Sequence, residues 1–170
     1  MLSRISSIVG PLGNHPKPRI GYRYYRFNTT KIRDKTADPA NVEGIVQVSQ
    51  FELMYSGGFL SYSGATATNP SGTNPAGEEP DKAIDGSVNT KWLDGSDRAT
   101  RALIIDFGSI RFSDSFRFAT GNDVDGRDPV RWTVDGSNDN LNWTTLHSQS
   151  TDASITTSRK TYTQVFYFTV

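Results

Sequence analysis

Apolar residues in this chain fall in short runs, many of them alternating with polar ones, and most runs end in Gly, Asn, Asp, Ser or Pro. Alternation with a period of two is the pattern of a strand with one buried face, and the turn residues mark where each strand stops. The aromatic and β-branched stretch Tyr22–Thr30 predicts a first strand. Ile45–Tyr55 predicts a second. There Val46 and Val48 share one face, and a phase change near Gln50 turns Phe51 and Leu53 inward, as a β-bulge would. Residues 56–80 are rich in Gly, Ser, Asn and Pro and predict mostly loop. The continuous apolar run Leu103–Phe107 predicts a central strand. Phe116 and Phe118 then alternate around Arg117, and Val130, Trp132 and Val134 around Arg131 and Thr133. Trp143 and Leu146 mark the next strand, and Tyr162–Val170 the last. No segment predicts a helix longer than a turn or two, and there is no internal repeat. The expectation is an all-β fold, an antiparallel β-sandwich of jelly-roll type.

A chain of 170 residues is one ordinary domain, large enough to build a core without staples. The sandwich is expected over 21–170. Residues 1–20 form an arm in which Pro11, Pro16, Pro18, Gly10 and Gly13 interrupt helix and strand alike. Such an arm orders only when a partner offsets its entropy. Leu2, Ile5, Ile8, Val9 and Leu12 are therefore the expected docking residues, on another copy of the chain or on a different protein. The other reading of 1–20 is a leader without fixed structure.

Charge and cysteine content narrow the function classes. Lys plus Arg and Asp plus Glu number 18 each, so no net field draws the chain to nucleic acid or to acidic lipid. No stretch approaches the ~20 apolar residues of a membrane span, so membrane insertion is not expected. There is no cysteine, which excludes disulfides, thiolate nucleophiles and Cys-type zinc sites and points to a reducing compartment or a bacterial or viral source. Met1–Gly10 is too short and polar for a secretory signal, so the sequons at Asn28 and Asn142 carry no weight. Catalysis is not expected either. His15 and His147 lack the partners of a triad, and Glu78, Glu79 and Asp81 read as a solvated loop. Trp92, Trp132 and Trp143 are expected in the core, where large aromatics dominate a small sandwich.

Two turn-plus-tryptophan segments carry the remaining chemistry. Lys82–Trp92 contains Asp85-Gly86, a tight-turn pair, and sets the oxygens of Asp85 and Thr90 one loop apart, as a hard cation would require. Gly136–Trp143 is a second turn that leads into a Trp. Together they resemble the discoidin, or coagulation-factor type C, domains of the galactose-binding-like superfamily, and the resemblance extends over about residues 20–170. It implies a non-enzymatic β-sandwich that binds sugars or other surface ligands through loops at one end. It also implies a structural Ca²⁺ held by Asp85, Thr90 and Glu52, although Ser87 stands where many relatives carry Asp. The alternative is a loop closed by hydrogen bonds, with Glu52 paired to a cation.

Two sets of residues are candidates for carbohydrate. Asn122, Asp123, Arg127 and Asp128 share one loop and could match vicinal sugar hydroxyls, or else Arg127 could brace that loop through an acidic neighbour. Phe59 and Tyr62 are the aromatics expected to be exposed. The motif order is the last clue. Tyr22–Phe27 and Val46–Tyr55 resemble the family's closing segments yet stand first, while Tyr162–Phe168 resembles their usual predecessor and stands last. The order looks circularly permuted, like that of phage and environmental bacterial proteins. It implies a component of a virus particle assembled in the host cytoplasm, a capsid decoration or tail-associated protein of a tailed phage. The partners would be other virion proteins or further copies, with cell-surface glycans as a possible ligand. The alternative is a free-standing bacterial lectin, extracellular or on the cell surface.

Overall fold

A computed structural model of the chain describes residues 21–33, 44–96 and 101–169. In chain order the strands are β1 (Gly21–Ile32), β2 (Val46–Val48), β3 (Gln50–Tyr55), β4 (Gly58–Phe59), β5 (Thr66–Thr68) and β6 (Trp92–Asp94). They continue as β7 (Arg101–Phe112), β8 (Ser115–Ala119), β9 (Pro129–Ser137), β10 (Thr144–Gln149) and β11 (Phe166–Tyr167). Two single 3-10 turns, Pro80–Ala83 and Asp125–Arg127, are the helical elements among the described residues. The five-stranded sheet runs β10-β9-β1-β7-β5 and the four-stranded sheet β11-β8-β3-β4, while β2 and β6 form a short ladder of their own. Every pairing is antiparallel. The protein is an antiparallel β-sandwich.

The alternation read from the sequence places the core. β1 buries Tyr25, Phe27 and Thr29; β7 buries Leu103, Ile105 and Phe107; β9 buries Val130, Trp132 and Val134. Phe51, Leu53, Phe116 and Phe118 face them from β3 and β8. Phe27 is the hub. Its ring centroid lies 5.1 Å from Phe51, 5.4 Å from Phe118, 5.9 Å from Trp132 and 6.3 Å from Phe116. Tilted contacts at these spacings avoid stacking the negative ring faces on one another.

Several expectations are corrected. Ile45–Tyr55 is not one bulged strand. It breaks at Ser49, with β2 pairing to β6 and β3 to β8, so the phase change near Gln50 is a change of sheet. Residues 56–80 are mostly loop, as expected, with two short strands, β4 and β5, whose Gly and Thr residues hid them among turn residues. The last segment forms only the short β11 and an isolated bridge between Tyr162 and Ala119. Trp92 and Trp132 are fully buried, but Trp143 is half-buried and carries the Arg26 guanidinium 4.3 Å from its ring centroid.

Leu2, Ile5, Ile8, Val9 and Leu12 lie outside the described residues, as do Ile20 and Val170. Among the described residues, Gly21 pairs with Phe112, and the Phe168 amide donates to Asp114 O at 2.9 Å. Both ends of the described sandwich therefore meet the 112–114 segment.

Because Phe27 touches both sheets, Phe27→Ala should lower the unfolding free energy by about 3–5 kcal/mol in urea titrations. A loss below ~1 kcal/mol would show that the sheets are not joined through this ring.

Candidate functional site

Alternation that points Phe51 and Leu53 inward turns Glu52 to the outer face of β3, directly opposite Arg117 on β8. Glu52 Oε2 accepts from Arg117 Nε at 2.7 Å, and Oε1 accepts from the Tyr162 hydroxyl at 2.9 Å. Burial, and after it the hydrogen bond to Glu52, push Tyr162 up to about 12, so it remains a protonated donor at neutral pH. The Arg117 guanidinium carbon lies 3.9 Å from the Tyr162 ring centroid and 4.5 Å from that of Phe59. The cation is thus held between two aromatic faces, an attraction of roughly 0.5–2 kcal/mol per face.

Phe59 remains 54% exposed, so Arg117 leaves much of this ring open. It borders a groove of about 420 Å³ whose walls include Gln50, Glu52, Tyr62, Ile84 and Asp85. Tyr62 is not the exposed aromatic expected. Its ring packs 5.2 Å from Phe107 and its hydroxyl accepts the Leu53 amide at 2.9 Å, because the chain entering β5 folds back across the core. Burial raises its pKa well above the ordinary value.

The Asp85 loop closes on itself. Asp85 Oδ1 accepts from the Ser87 amide at 2.9 Å and Oδ2 from the Thr90 hydroxyl at 2.7 Å. Gly86 sits at φ +81°, where an L side chain is strained, and its amide donates to Gln50 Oε1 at 3.1 Å. Asp85 and Thr90 therefore adjoin, but the β3 side chain that meets the loop is Gln50. Glu52 lines the same groove with both oxygens engaged by Arg117 and Tyr162. A calcium ion takes six to eight oxygens and prefers several carboxylates. Beside its backbone carbonyls, the loop offers one carboxylate and one hydroxyl, and β3 adds the neutral amide oxygen of Gln50, while Glu52 is turned to Arg117 and Tyr162. Among the described residues, no group of three or more His, Cys, Asp and Glu could hold a metal.

The loop at 122–128 is largely committed to the fold. Asp128 is fully buried and holds both arms of the Arg159 guanidinium, with Arg33 Nη2 3.5 Å away. A carboxylate so enclosed cannot reach a sugar, which corrects the expectation for Asp128. Asp123 accepts from Lys91 Nζ at 2.6 Å and lies 3.6 Å from Arg127 Nη1. Partial burial opposes ionisation of Asp123, but Lys91, the Val124 amide and Arg127 together outweigh it and hold the carboxyl below its ordinary range. Arg127 is therefore the brace that the alternative reading proposed, while Asn122 stands exposed.

Sequence reasoning missed Lys91. Its side chain is 3% exposed, and its ammonium is also met by Gln47 Oε1 at 3.2 Å and Glu78 at 3.4 Å. Gln47 in turn crosses Gly121 so closely that a Cβ there would stand 2.4 Å from its amide carbon. It also missed Gln50, Arg117 and Tyr162. The first two were within reach: the inward phase of Phe51, Phe116 and Phe118 sends Gln50, Glu52 and Arg117 to one outer face.

A model of the F5/8 type C domain matches residues 64–169. No curated protein and no solved structure gives a significant match. The matched span holds β5 to β11, whereas β1 and β3, which complete the two sheets, precede it. With the antiparallel sandwich and a match over more than half of its length, the chain belongs to the F5/8 type C domain family.

Proposed function

We propose that the protein is a non-catalytic glycan-binding module that takes a neutral sugar in the groove beside Phe59. The observation that carries this reading is the ring itself: an exposed aromatic, steadied by Arg117, above a groove lined by Glu52, Gln50 and Asp85. The C–H face of a pyranose carries slight positive charge and suits the negative face of an aromatic ring. Its hydroxyls donate well to carboxylates, and each Glu52 oxygen keeps a second lone pair beyond its bond to Arg117 or Tyr162. Because those two partners fix Glu52, the acceptor is oriented before the ligand arrives, which lowers the entropy lost on binding.

The finer expectation, a place in a virus particle among other virion proteins, rests on residues 1–20 and on the motif order. The alternative places the same groove on a bacterial surface or in the extracellular medium. Removing residues 1–20 separates the two. On the virion reading, the shortened chain melts at the same temperature but is missing from purified particles. Full occupancy by the shortened chain would contradict it.

Two results test the groove. Phe59→Ala should weaken binding of a galactose-type oligosaccharide about tenfold in calorimetry, the equivalent of ~1.4 kcal/mol, while the protein still unfolds cooperatively with a melting temperature lowered by no more than a few degrees. An unchanged Kd would exclude the Phe59 groove. The site also needs no cation, so a chelator should alter neither the melting temperature nor the affinity. A fall of several degrees would show an ion bound to the native state.

A further inference from the structure

The outer face of the five-stranded sheet carries a second groove, of about 540 Å³, where the end of β1 meets β9 and β10. Its walls include Thr30, Lys31, Arg131, Thr133, Ser148 and Ser150. Lys31 Nζ lies 2.6 Å from Asp152 Oδ2, and Arg131 Nε lies 2.6 Å from Asp152 Oδ1. One carboxylate thus serves two cations, leaving a local charge of +1 in a chain whose formal net charge is zero. Among the described residues, Arg131 commits only Nε, and its two terminal nitrogens make no hydrogen bond. The hydroxyls of Thr30, Ser148 and Ser150 make none either. Thr133 differs, since its hydroxyl donates to Asp135 at 3.1 Å.

We infer that this groove is a subsite for an acidic sugar, a uronate unit of a glycan chain. The open edge of a guanidinium presents two parallel N–H groups, the geometry that a carboxylate accepts in bidentate fashion. Lys31 keeps two ammonium hydrogens beyond its bond to Asp152 and adds charge. The idle hydroxyls line the same groove, where the ring hydroxyls of a sugar would lie. A bare anion would use the cations and leave these hydroxyls unused, so the set as a whole fits a carboxylate carried on a polyol. Asp152 competes with that carboxylate for the same two cations, which gives the site a distinctive response to mutation. The inference rests on the glycan-binding reading but uses none of the residues of the Phe59 groove.

The test is calorimetric titration of the full chain with trigalacturonate, galactotriose and acetate. Wild-type protein should bind trigalacturonate about tenfold or more tightly than galactotriose, and the advantage should shrink as salt rises. Arg131→Gln should remove that advantage. Asp152→Asn should increase trigalacturonate affinity about threefold, because it frees both cations, and an increase cannot come from misfolding. Phe59→Ala should weaken galactotriose binding about tenfold and spare trigalacturonate, so that failure of one groove is distinguishable from failure of the other. Equal affinities for the two trisaccharides would overturn the inference, as would Kd values within twofold of wild type in both Arg131→Gln and Asp152→Asn. Acetate binding as tightly as trigalacturonate would reduce the site to a bare anion site and overturn it as well.

Discussion

Everything in this sandwich depends on the contact of Phe27 with Phe51, Phe116 and Phe118 across the gap between the sheets. Bulky side chains fill that gap because the chain is short of apolar residues and must bury each one well. Once these rings face inward, the period of two leaves no choice about the outer faces. Glu52 and Arg117 become cross-strand partners. Arg131 emerges on the outer face of the other sheet by the same alternation, and a register irregularity in β1 after Thr29 brings Lys31 opposite it. A one-residue slip of β3 would bury Glu52 and expose Phe51, so the register that builds the core also sets the groove.

The loops then divide between bracing and binding. Lys91 draws Asp123, Glu78 and Gln47 together, and Asp128 draws in Arg33 and Arg159. A buried charge stripped of its partner is costly, so these links hold the loop end of the sandwich in one arrangement. The groove beside Phe59 has a lighter construction. It has a rigid floor on β3, a short hairpin from Met54 to Phe59, and a turn at Asp85–Gly86 hung on Gln50. A rigid floor with loops at its rim is the usual arrangement of a binding site.

Fold class was legible because period-two alternation is a local signal that packing does not override. Tyr22–Thr30, Leu103–Phe107 and Val130–Val134 all became strands. The strands β4 and β5 were not legible, because Gly58, Thr66 and Thr68 carry little apolar signal, β4 is only the two-residue return of a tight hairpin, and β5 pairs with distant β7. The break at Ser49 appeared as a phase change, but whether such a change is a bulge or a crossing between sheets depends on which strand lies alongside. For the site, residue type showed which groups could bind but not which were already engaged. Asp128 and Phe59 were equal candidates by sequence; one is enclosed by two arginines and the other is open to solvent. Long-range ion pairs decide such cases, and no short window of sequence contains both partners. The side chain that reaches the Asp85 loop is two residues from the one expected, on the same face of β3, so the face was legible and the exact residue was not.

The central claim is that a sugar enters the groove beside Phe59 and not the loop at 122–128. Amide chemical-shift mapping during titration with a neutral galactose oligosaccharide tests it most directly. Shifts are expected at Gln50, Glu52, Phe59 and Asp85–Gly86, growing together along one binding curve. Shifts confined to Asn122–Asp128, with the Phe59 groove unperturbed, would contradict it.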